Sequence, residues 1–358
     1  MATLTILEKA LKEVYLACPE LELQVPFHDK VIPKNLASSK RLILEQIFAE
    51  FRPELSEHYL IEENADIQVI KHIRYLPANY HAHEFFEMIY VVKGRCYNFF
   101  ENQTYELKEG DIVVIAPRTI HAISGFSDGL EAVNILIRKS TFNASFFGLL
   151  EDKDILSHFF LNALYENSKR FLYFHTLPTA GLTDDILLMT EEINKTDGYS
   201  QRMLKNILDT FFIKLLRGFQ TNRVSLDTEA GEESETIDML QYLQTHFAEV
   251  SIVDLTNKFN YSQRQIARIL KNKTGKTFSQ LVLEMRISKA KVYLRQTNLP
   301  IQEIAELVGY GDLSNFYRYF FKVTGNSPKQ FREMNCAFIK ENCSSRNVEQ
   351  FFRMLCSS

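Results

Sequence analysis

"LTNKFNYSQRQIARILKNKTG" at 255–275 and "IAELVGYGDLSNFYRYFFKVTG" at 304–325 are two versions of one plan. Each has a short apolar helix, a tight turn, a capping residue, a second helix and a closing Thr-Gly. From the caps onward the offset is 50, which pairs Ser262 with Asp312, Ile266 with Phe316, Arg268 with Arg318, Leu270 with Phe320 and Gly275 with Gly325. Before the turn the offset is 49, so the second copy carries one extra residue there. Ser262 and Asp312 are N-cap residues, able to accept from the free N–H groups of the helix that follows. Gly309 and Gly311 are expected to permit turn geometry closed to larger residues. Ile266, Ile269 and Leu270, and then Phe316, Tyr319 and Phe320, supply an inward face. The outward faces are polar. Each unit therefore reads as a helix-turn-helix.

Any exposed helix is polar on its outer side, so these faces alone do not select a ligand. The duplication narrows the choice. "FSQLVLEMRISKAKVYLRQ" at 278–296 can form one continuous helix between the units. Such a spacer sets two outward helices apart so that they enter successive major-groove segments, roughly 34 Å apart, on one side of a duplex. Charge agrees: residues 251–333 hold 14 Lys and Arg against 6 Asp and Glu, on a chain whose net charge is −4. A basic segment on an otherwise acidic chain suits a polyanionic partner for that part alone.

Upstream, the pattern changes. Residues 4–17 have helical spacing, and "RLILEQIFAEF" at 41–51 suggests a second short helix. From about residue 60 the apolar period falls toward two, in "IQVIKHIRYL", "FEMIYVVKG", "RCYNFFE", "DIVVIAP" and "AVNILIR", with turn residues between them. These runs predict a small antiparallel barrel or sandwich. After residue 150 the periodicity is helical again; the broad stripe Met203, Leu204, Ile207, Leu208, Phe211, Phe212, Leu215 and Leu216 predicts a helix that covers the barrel or forms a subunit interface. "TNRVSLDTEAGEESE" at 221–235 is polar and acidic and reads as a linker.

The 358 residues are 46% apolar and 24% charged, the composition of an ordinary globular protein. No run reaches the roughly 18 apolar residues of a membrane helix, and the first residues acquire acids too soon for a secretory signal. A cytoplasmic location is expected. Five cysteines without a C-x-x-C pair argue for free thiols rather than a disulfide framework.

Residues 285–332, "MRISKAKVYLRQTNLPIQEIAELVGYGDLSNFYRYFFKVTGNSPKQFR", closely resemble the signature of AraC/XylS-type transcriptional regulators. The match runs through Arg286, Ile287, Ala290, Leu294, Ile301, Ile304, Ala305, Val308, Gly309, Tyr310, Asp312, Ser314, Phe316, Arg318, Phe320, Gly325, Pro328, Phe331 and Arg332. Departures are Leu270 for a usual Phe, Thr256 for a small Ala, and Phe321 where a basic residue is common. The resemblance implies that Arg264, Ala267 and Arg268, with Ser314, Tyr317 and Arg318, face base edges, and that Lys271 and Lys322 contact phosphate. Arg268 and Arg318 are the strongest readers, because Arg can donate twice to guanine.

"HAHEFFEMIYVVKG" at 81–94 puts His81, His83, Phe85 and Glu87 on one face of a strand. H-x-H, three residues, Glu, six residues, Gly is similar to the first cupin motif. The second, "GDIVVIAPRTIH", keeps Gly110, Pro117 and His121, but has Ala116 and Arg118 where cupins usually have Pro and Gly. The resemblance implies that His81, His83, Glu87 and His121 line a pocket for a small effector, often a sugar in such sensors. Two alternatives stand beside it. Three imidazoles and a carboxylate could bind a divalent metal, and with it make the chain a metal-dependent cupin enzyme fused to a DNA-binding domain. More plainly, His81 and Glu87 could simply satisfy each other inside the barrel.

The expected protein is α+β and multidomain: an N-terminal cupin-like antiparallel β-barrel with helices, and a C-terminal all-α double helix-turn-helix domain. The boundaries are 1–55 for an N-terminal arm, 56–150 for the barrel, 151–220 for a helical dimerisation region, 221–236 for the linker, 237–335 for the DNA-binding domain, and 336–358 for a tail of no assigned role. It is expected to be a transcription regulator and not an enzyme, with no cofactor unless a divalent metal occupies the barrel. Its expected partners are double-stranded DNA, a small-molecule effector and a second copy of itself, with RNA polymerase a further one the family resemblance allows.

Overall fold

The computed structural model describes residues 3–19, five positions between 38 and 45, 52–63, 65–101, 103–142, 155–165, 171–176, 181–195, 197–220, 224–227 and 235–333. Most of the helix expected at 41–51 and the tail 336–358 lie outside the described residues. Two compact units emerge: one from Met1–Arg138 and Lys169–Glu229, the other from Lys139–Ser168 and Ala230–Cys343.

The first unit opens with α1 (Ile6–Ala17), started by a capping box in which Thr5 and Glu8 exchange hydrogen bonds. Leu7, Leu11 and Val14 bury its apolar side with Cys18, Tyr75 and Phe126. After β1 (Glu54–Leu55) and the short α2 (Glu57–Leu60) come β2 (Ile67–Lys71), β3 (Ala82–His83), β4 (Phe86–Lys93), β5 (Arg95–Phe100), β6 (Gln103–Lys108), β7 (Ile112–Ile115), β8 (His121–Ser124) and β9 (Glu131–Ile137). Joined by β10 (Phe171–Thr176) and β11 (Val224–Asp227), they form a six-stranded sheet in the order β11-β10-β7-β4-β9-β2, a three-stranded sheet β6-β5-β8, and a small parallel pair β1-β3. Ile89, Val113, Ile115, Ala132 and Phe171 from the larger sheet share one core with Cys96, Phe100, Leu107 and Ile123 from the smaller. The period-two runs of the sequence are these strands.

Helices α4 (Leu182–Glu192) and α5 (Ser200–Gln220) also belong to this unit. Most of the stripe on α5 is buried in its own unit: Leu204, Leu208, Phe211, Phe212 and Leu215 are all fully covered, and Phe211 meets Tyr90 of β4 edge to face, while Met203 is exposed and Leu216 half-buried. Gln201 at its start bonds both the amide and the carbonyl of Ile67, fixing the helix to the first residue of β2.

Two sequence expectations change. The stretch 151–220 is not uniformly helical, because Phe171–Thr176 is strand β10, its four apolar residues and Thr176 all buried in the sheet. The stretch 221–236 is not all linker, because Val224–Asp227 pairs antiparallel with β10; Val224 and Leu226 alternate with polar neighbours over too few residues to signal a strand.

Between β9 and β10 the chain makes an excursion into the second unit. There α3 (Ile155–Tyr165) buries Leu156, Phe160 and Leu161, stacks Phe160 on Phe142 at 4.0 Å, and donates from the Tyr165 hydroxyl to Gln244 of α6 (Glu235–His246). The rest of this unit is α7 (Ile252–Phe259), α8 (Gln263–Thr274), α9 (Phe278–Gln296), α10 (Ile301–Leu307) and α11 (Leu313–Thr324). As expected, α9 is one continuous helix of 19 residues, about 28 Å long at 1.5 Å per residue.

Candidate ligand site and nucleic-acid interface

The four barrel residues singled out in the sequence come together. His83 arrives on β3 and Glu87 on β4. His81 and His121 face each other across a two-way backbone bridge of 2.9 and 3.0 Å that ties the entry to β3 to the start of β8. One Glu87 carboxylate oxygen, Oε2, lies 3.3 Å from Nε2 of His83 and 3.1 Å from Nε2 of His121. The His81 and His121 rings are 4.4 Å apart. His83, Glu87 and His121 are almost completely buried, at 1%, 4% and 0% exposure.

Hydrogen bonding on the outer side of this cluster is well ordered. Nδ1 of His83 donates to the Phe85 carbonyl at 2.7 Å and Nδ1 of His81 to the Asn79 carbonyl at 3.1 Å. Asn134 of β9 donates from Nδ2 to Oε1 of Glu87 at 2.7 Å. On the inner side, Nε2 of His83, Oε2 of Glu87 and both ring nitrogens of His121 lack a properly aligned hydrogen bond. His81 and Glu87 therefore do not simply form a closed pair, since Glu87 faces His83 and His121 as well. Burial lowers the His81 ring to about 3, with the neighbouring His121 acting in the same direction, and burial also lowers His121. Burial alone would raise the Glu87 carboxyl, but the His121 and His83 rings beside it more than offset this and hold it well below the usual carboxylate range.

Three further polar residues share this interior without having been singled out. Asn98 of β5 is fully buried, with neither Oδ1 nor Nδ2 hydrogen-bonded; Asn134 leaves Oδ1 free; and His72, just after β2, is lowered to about 4 by burial and lacks a partner at Nε2. Their sequence signal was a lone polar residue inside an apolar strand run, as in "RCYNFFE" and "AVNILIR". An orphaned polar atom in a protein interior costs about 1–3 kcal/mol, so such a concentration is where a ligand is expected.

The altered second cupin-like motif keeps its backbone shape. Arg118 has φ +64° and its amide donates to the His83 carbonyl at 2.7 Å. A left-handed conformation costs a non-glycine residue roughly 1–2 kcal/mol, part of which glycine gives back as chain entropy. Arg118→Gly is therefore expected to stabilise the first unit by about 0.5–1 kcal/mol in chemical denaturation; a loss of stability would mean that the arginine side chain holds this turn.

In the second unit the two helix-turn-helix pairs are α7–α8 and α10–α11. The expected caps are present: Ser262 accepts from Gln265 N within a capping box, and Asp312 accepts from Ser314 N. Both second helices end at a left-handed glycine, Gly275 with φ 71° and Gly325 with φ 72°. The turn positions matched at offset 49, Asn260 and Gly309, are both left-handed, with φ 56° and 88°. Gly311 is not, so the expectation that it too supplies special turn geometry is incorrect; it has ordinary backbone angles and open space around its Cα.

Ile266, Leu270, Phe316 and Phe320 form the buried side of these helices. Arg264, Ala267, Arg268 and Lys271 line the exposed face of α8 at i, i+3, i+4, i+7 spacing. On α11, Ser314, Arg318 and Lys322 are exposed and Tyr317 is half-buried. Nη2 of Arg318 donates to Asn315 Oδ1 at 2.8 Å and its guanidinium lies 4.9 Å from the Tyr319 ring centre, which holds the head group over the helix surface. Lys271 donates to the Gly275 carbonyl at 2.6 Å. Arg286, expected to orient the spacer helix, donates to the carbonyls of Phe247 and Ala248 at 2.9 and 2.8 Å and so fixes α9 to the end of α6.

A buried polar cluster in an antiparallel barrel, joined to two exposed and capped helix-turn-helix faces, defines a ligand-binding, DNA-binding regulator. Residues 255–334 match the model of a helix-turn-helix domain, and residues 74–161 that of an AraC-like ligand binding domain. The chain belongs to the AraC/XylS family of transcriptional regulators and carries an N-terminal sensor domain. It is 25% identical to the HTH-type transcriptional activator RhaR of Mannheimia succiniciproducens over 80% of this chain and 98% of that one, and 26% identical to the activator RhaS of Escherichia fergusonii over 71% and 87%. Among solved structures, the C-terminal domain of AraT, a response regulator from Geobacillus stearothermophilus, is 34% identical over 29% of this chain and 88% of its own, with a TM-score of 0.28. The protein is a regulator and not an enzyme. Among the described residues no helix is long and apolar enough to cross a membrane.

Proposed function

We propose that this regulator takes its signal at His81, His83, Glu87 and His121 and reads DNA with Arg264, Ala267, Arg268, Ser314, Tyr317 and Arg318, while Lys271 and Lys322 contact phosphate. The observation that carries the sensing half is the convergence of buried, unpartnered polar atoms from β3, β4 and β8. A ligand shifts a conformational equilibrium only by its difference in affinity between states, so an effector that satisfies those atoms favours whichever arrangement brings them together. The DNA half is supported by the matched caps and exposed stripes of α8 and α11. The protein acts as a cytoplasmic homodimer and meets RNA polymerase at its promoters. With most of its stripe buried at home, α5 gives no special ground for placing the dimer contact there.

Selection of sites from a random DNA pool tests the assignment of readers. Arg318→Ala is expected to relax preference at one base pair and cost about 1–3 kcal/mol at the selected site. An unchanged selected sequence with unchanged affinity would remove Arg318 from the recognition face.

A further inference from the structure

We propose that Phe321 of α11 is a sequence-reading residue, packing its ring on the C5-methyl of a thymine in the major groove. The role rests on α8 and α11 being the DNA-reading helices, and it adds to them a contact of different chemistry.

The first ground is position on the helix. Phe321 is 56% exposed, the only exposed phenylalanine among the described residues. At about 100° per residue it stands about 20° around the axis from Ser314, about 40° from Tyr317 and about 60° from Arg318. The buried pair Phe316 and Phe320 lies about 140° and about 100° away. The ring therefore projects from the same face as the readers. Leu313 and Val323, also exposed on α11, are about 80° and about 160° from it, so no apolar stripe joins the three.

The second ground is the lack of an aromatic neighbour. Phe316, Tyr317, Tyr319 and Phe320 each meet another ring, with centres 5.5 to 6.2 Å apart. Among the described residues Phe321 meets none, and the Arg318 guanidinium lies over Tyr319 instead. A lone exposed apolar side chain ordinarily calls for no explanation. One that stands on a recognition face is placed to meet what that face meets.

The third ground is the repeat. At the offset of 50, Phe321 stands where α8 has Lys271, and Ser314 stands where α8 has Arg264. Of the cations on the α8 face only Arg268 has a cationic match, Arg318, while Lys322 adds one where α8 has Asn272. At the Lys271 position the second unit has thus exchanged a charge for an aromatic ring.

An ammonium group suits a phosphate, to which a phenyl ring has nothing to donate. The apolar group that a ring can recognise in the major groove is the thymine methyl, which no other base carries there. Phe321 rises about 4.5 Å beyond Arg318 along the axis, close to one base-pair step of about 3.4 Å, so the thymine is expected next to the base pair that Arg318 reads.

The test uses the full chain and the site that it selects from a random DNA pool. Each thymine is replaced in turn by uracil, which removes the methyl and keeps the base pairing. The parent is expected to lose about fourfold in affinity, the worth of one buried methyl, at a thymine beside the base pair where Arg318→Ala relaxes selection. Phe321→Ala should lose a similar factor on the thymine site and bind thymine and uracil sites equally, with an unchanged thermal transition because the ring is exposed. Phe321→Lys should also lose the discrimination, while steepening the dependence of log affinity on log salt by about 0.9, as one added phosphate contact does. Discrimination that survives in Phe321→Ala, or a parent indifferent to every uracil, overturns the thymine contact; a selection that still relaxes in Arg318→Ala then leaves the DNA-reading assignment standing. Unchanged selection and affinity in Phe321→Ala, with altered transcription from the same site, would place the ring against a protein and overturn the proposal as well.

Discussion

Replacing Gly309 with alanine is expected to unfold much of the DNA-binding unit. A Cβ at this position would stand 2.1 Å from the carbonyl oxygen of Ala248 and 2.8 and 2.9 Å from its C and Cα, all of them backbone atoms that cannot turn aside. The residue is also held at φ +88°. Ala248 is itself fixed, because Arg286 donates to its carbonyl and to that of Phe247. The left-handed penalty of about 1–2 kcal/mol and the overpacking penalty of about 1–3 kcal/mol together give roughly 2–5 kcal/mol, a large part of the 5–15 kcal/mol typical of a domain. Denaturant titration should show the helical transition moved to lower concentration, with DNA binding lost in parallel. Gly311→Ala, two residues away in open space with ordinary backbone angles, should change neither by more than about 0.5 kcal/mol. Equal effects at the two positions would show that the close approach at Gly309 is not what matters.

The second large effect lies at the opposite end of the chain. Glu8 on α1 and Arg74 after β2 form a buried pair, each side chain 7% exposed, in which both carboxylate oxygens accept from the guanidinium at 2.9 and 2.8 Å. Oε1 also accepts from the Arg74 amide at 3.1 Å. Burial alone would raise the Glu8 carboxyl; the hydrogen bonds from Arg74 and Thr5 outweigh it and hold the group at about 2, against an ordinary 4.5. A group depressed in this way stabilises the fold above its unfolded value and loses that contribution as pH falls toward the folded one. At about 1.4 kcal/mol per pH unit, roughly 3 kcal/mol should disappear between pH 4.5 and 2. Glu8→Ala should therefore cost about 3 kcal/mol at neutral pH, near the lower end for breaking a buried pair, because Arg74 keeps bonds to the carbonyls of Asp128 and Thr3. Its acid limb should be flatter than that of the parent. Thermal unfolding from pH 7 down to pH 2 checks both, and parallel limbs would contradict the assignment.

Much of this architecture was legible because the sequence repeats itself. Ser262 and Asp312 marked the helix starts, Gly275 and Gly325 the ends, and a change of offset from 50 to 49 located the turn; all five features occur where the residue chemistry put them. The one misassigned turn glycine, Gly311, was a matter of conformation: only backbone angles tell a glycine that must be left-handed from one that merely stands nearby. In the barrel the motif spacing supplied His83, Glu87 and His121, but the single strand read over 81–94 is broken at Glu84–Phe85, so His83 lies on β3 and Glu87 on β4 in different sheets and strand parity is not what brings them together. The Asn98, Asn134 and His72 contributions were not legible, because whether a lone polar side chain finds a partner depends on strands distant in sequence. Nor was the assignment of β10 and α3. "FLYFHT" and "ILSHFFLNALY" are both dense apolar runs, and periodicity alone does not say which sheet or helix each will join.

The excursion through α3 makes the two units interleaved along the chain rather than consecutive. A segment that contributes buried Leu156, Phe160 and Leu161 to the helical unit is flanked on both sides by strands of the sensor. Grafting this sensor onto a foreign reading head by a single splice near residue 230 would strand α3 without its host and strip α6 of a neighbour. A workable hybrid would have to exchange residues 139–168 together with the C-terminal part, leaving β9 and β10 as the seam. Among the described residues the modular boundary for engineering thus has three crossing points instead of one.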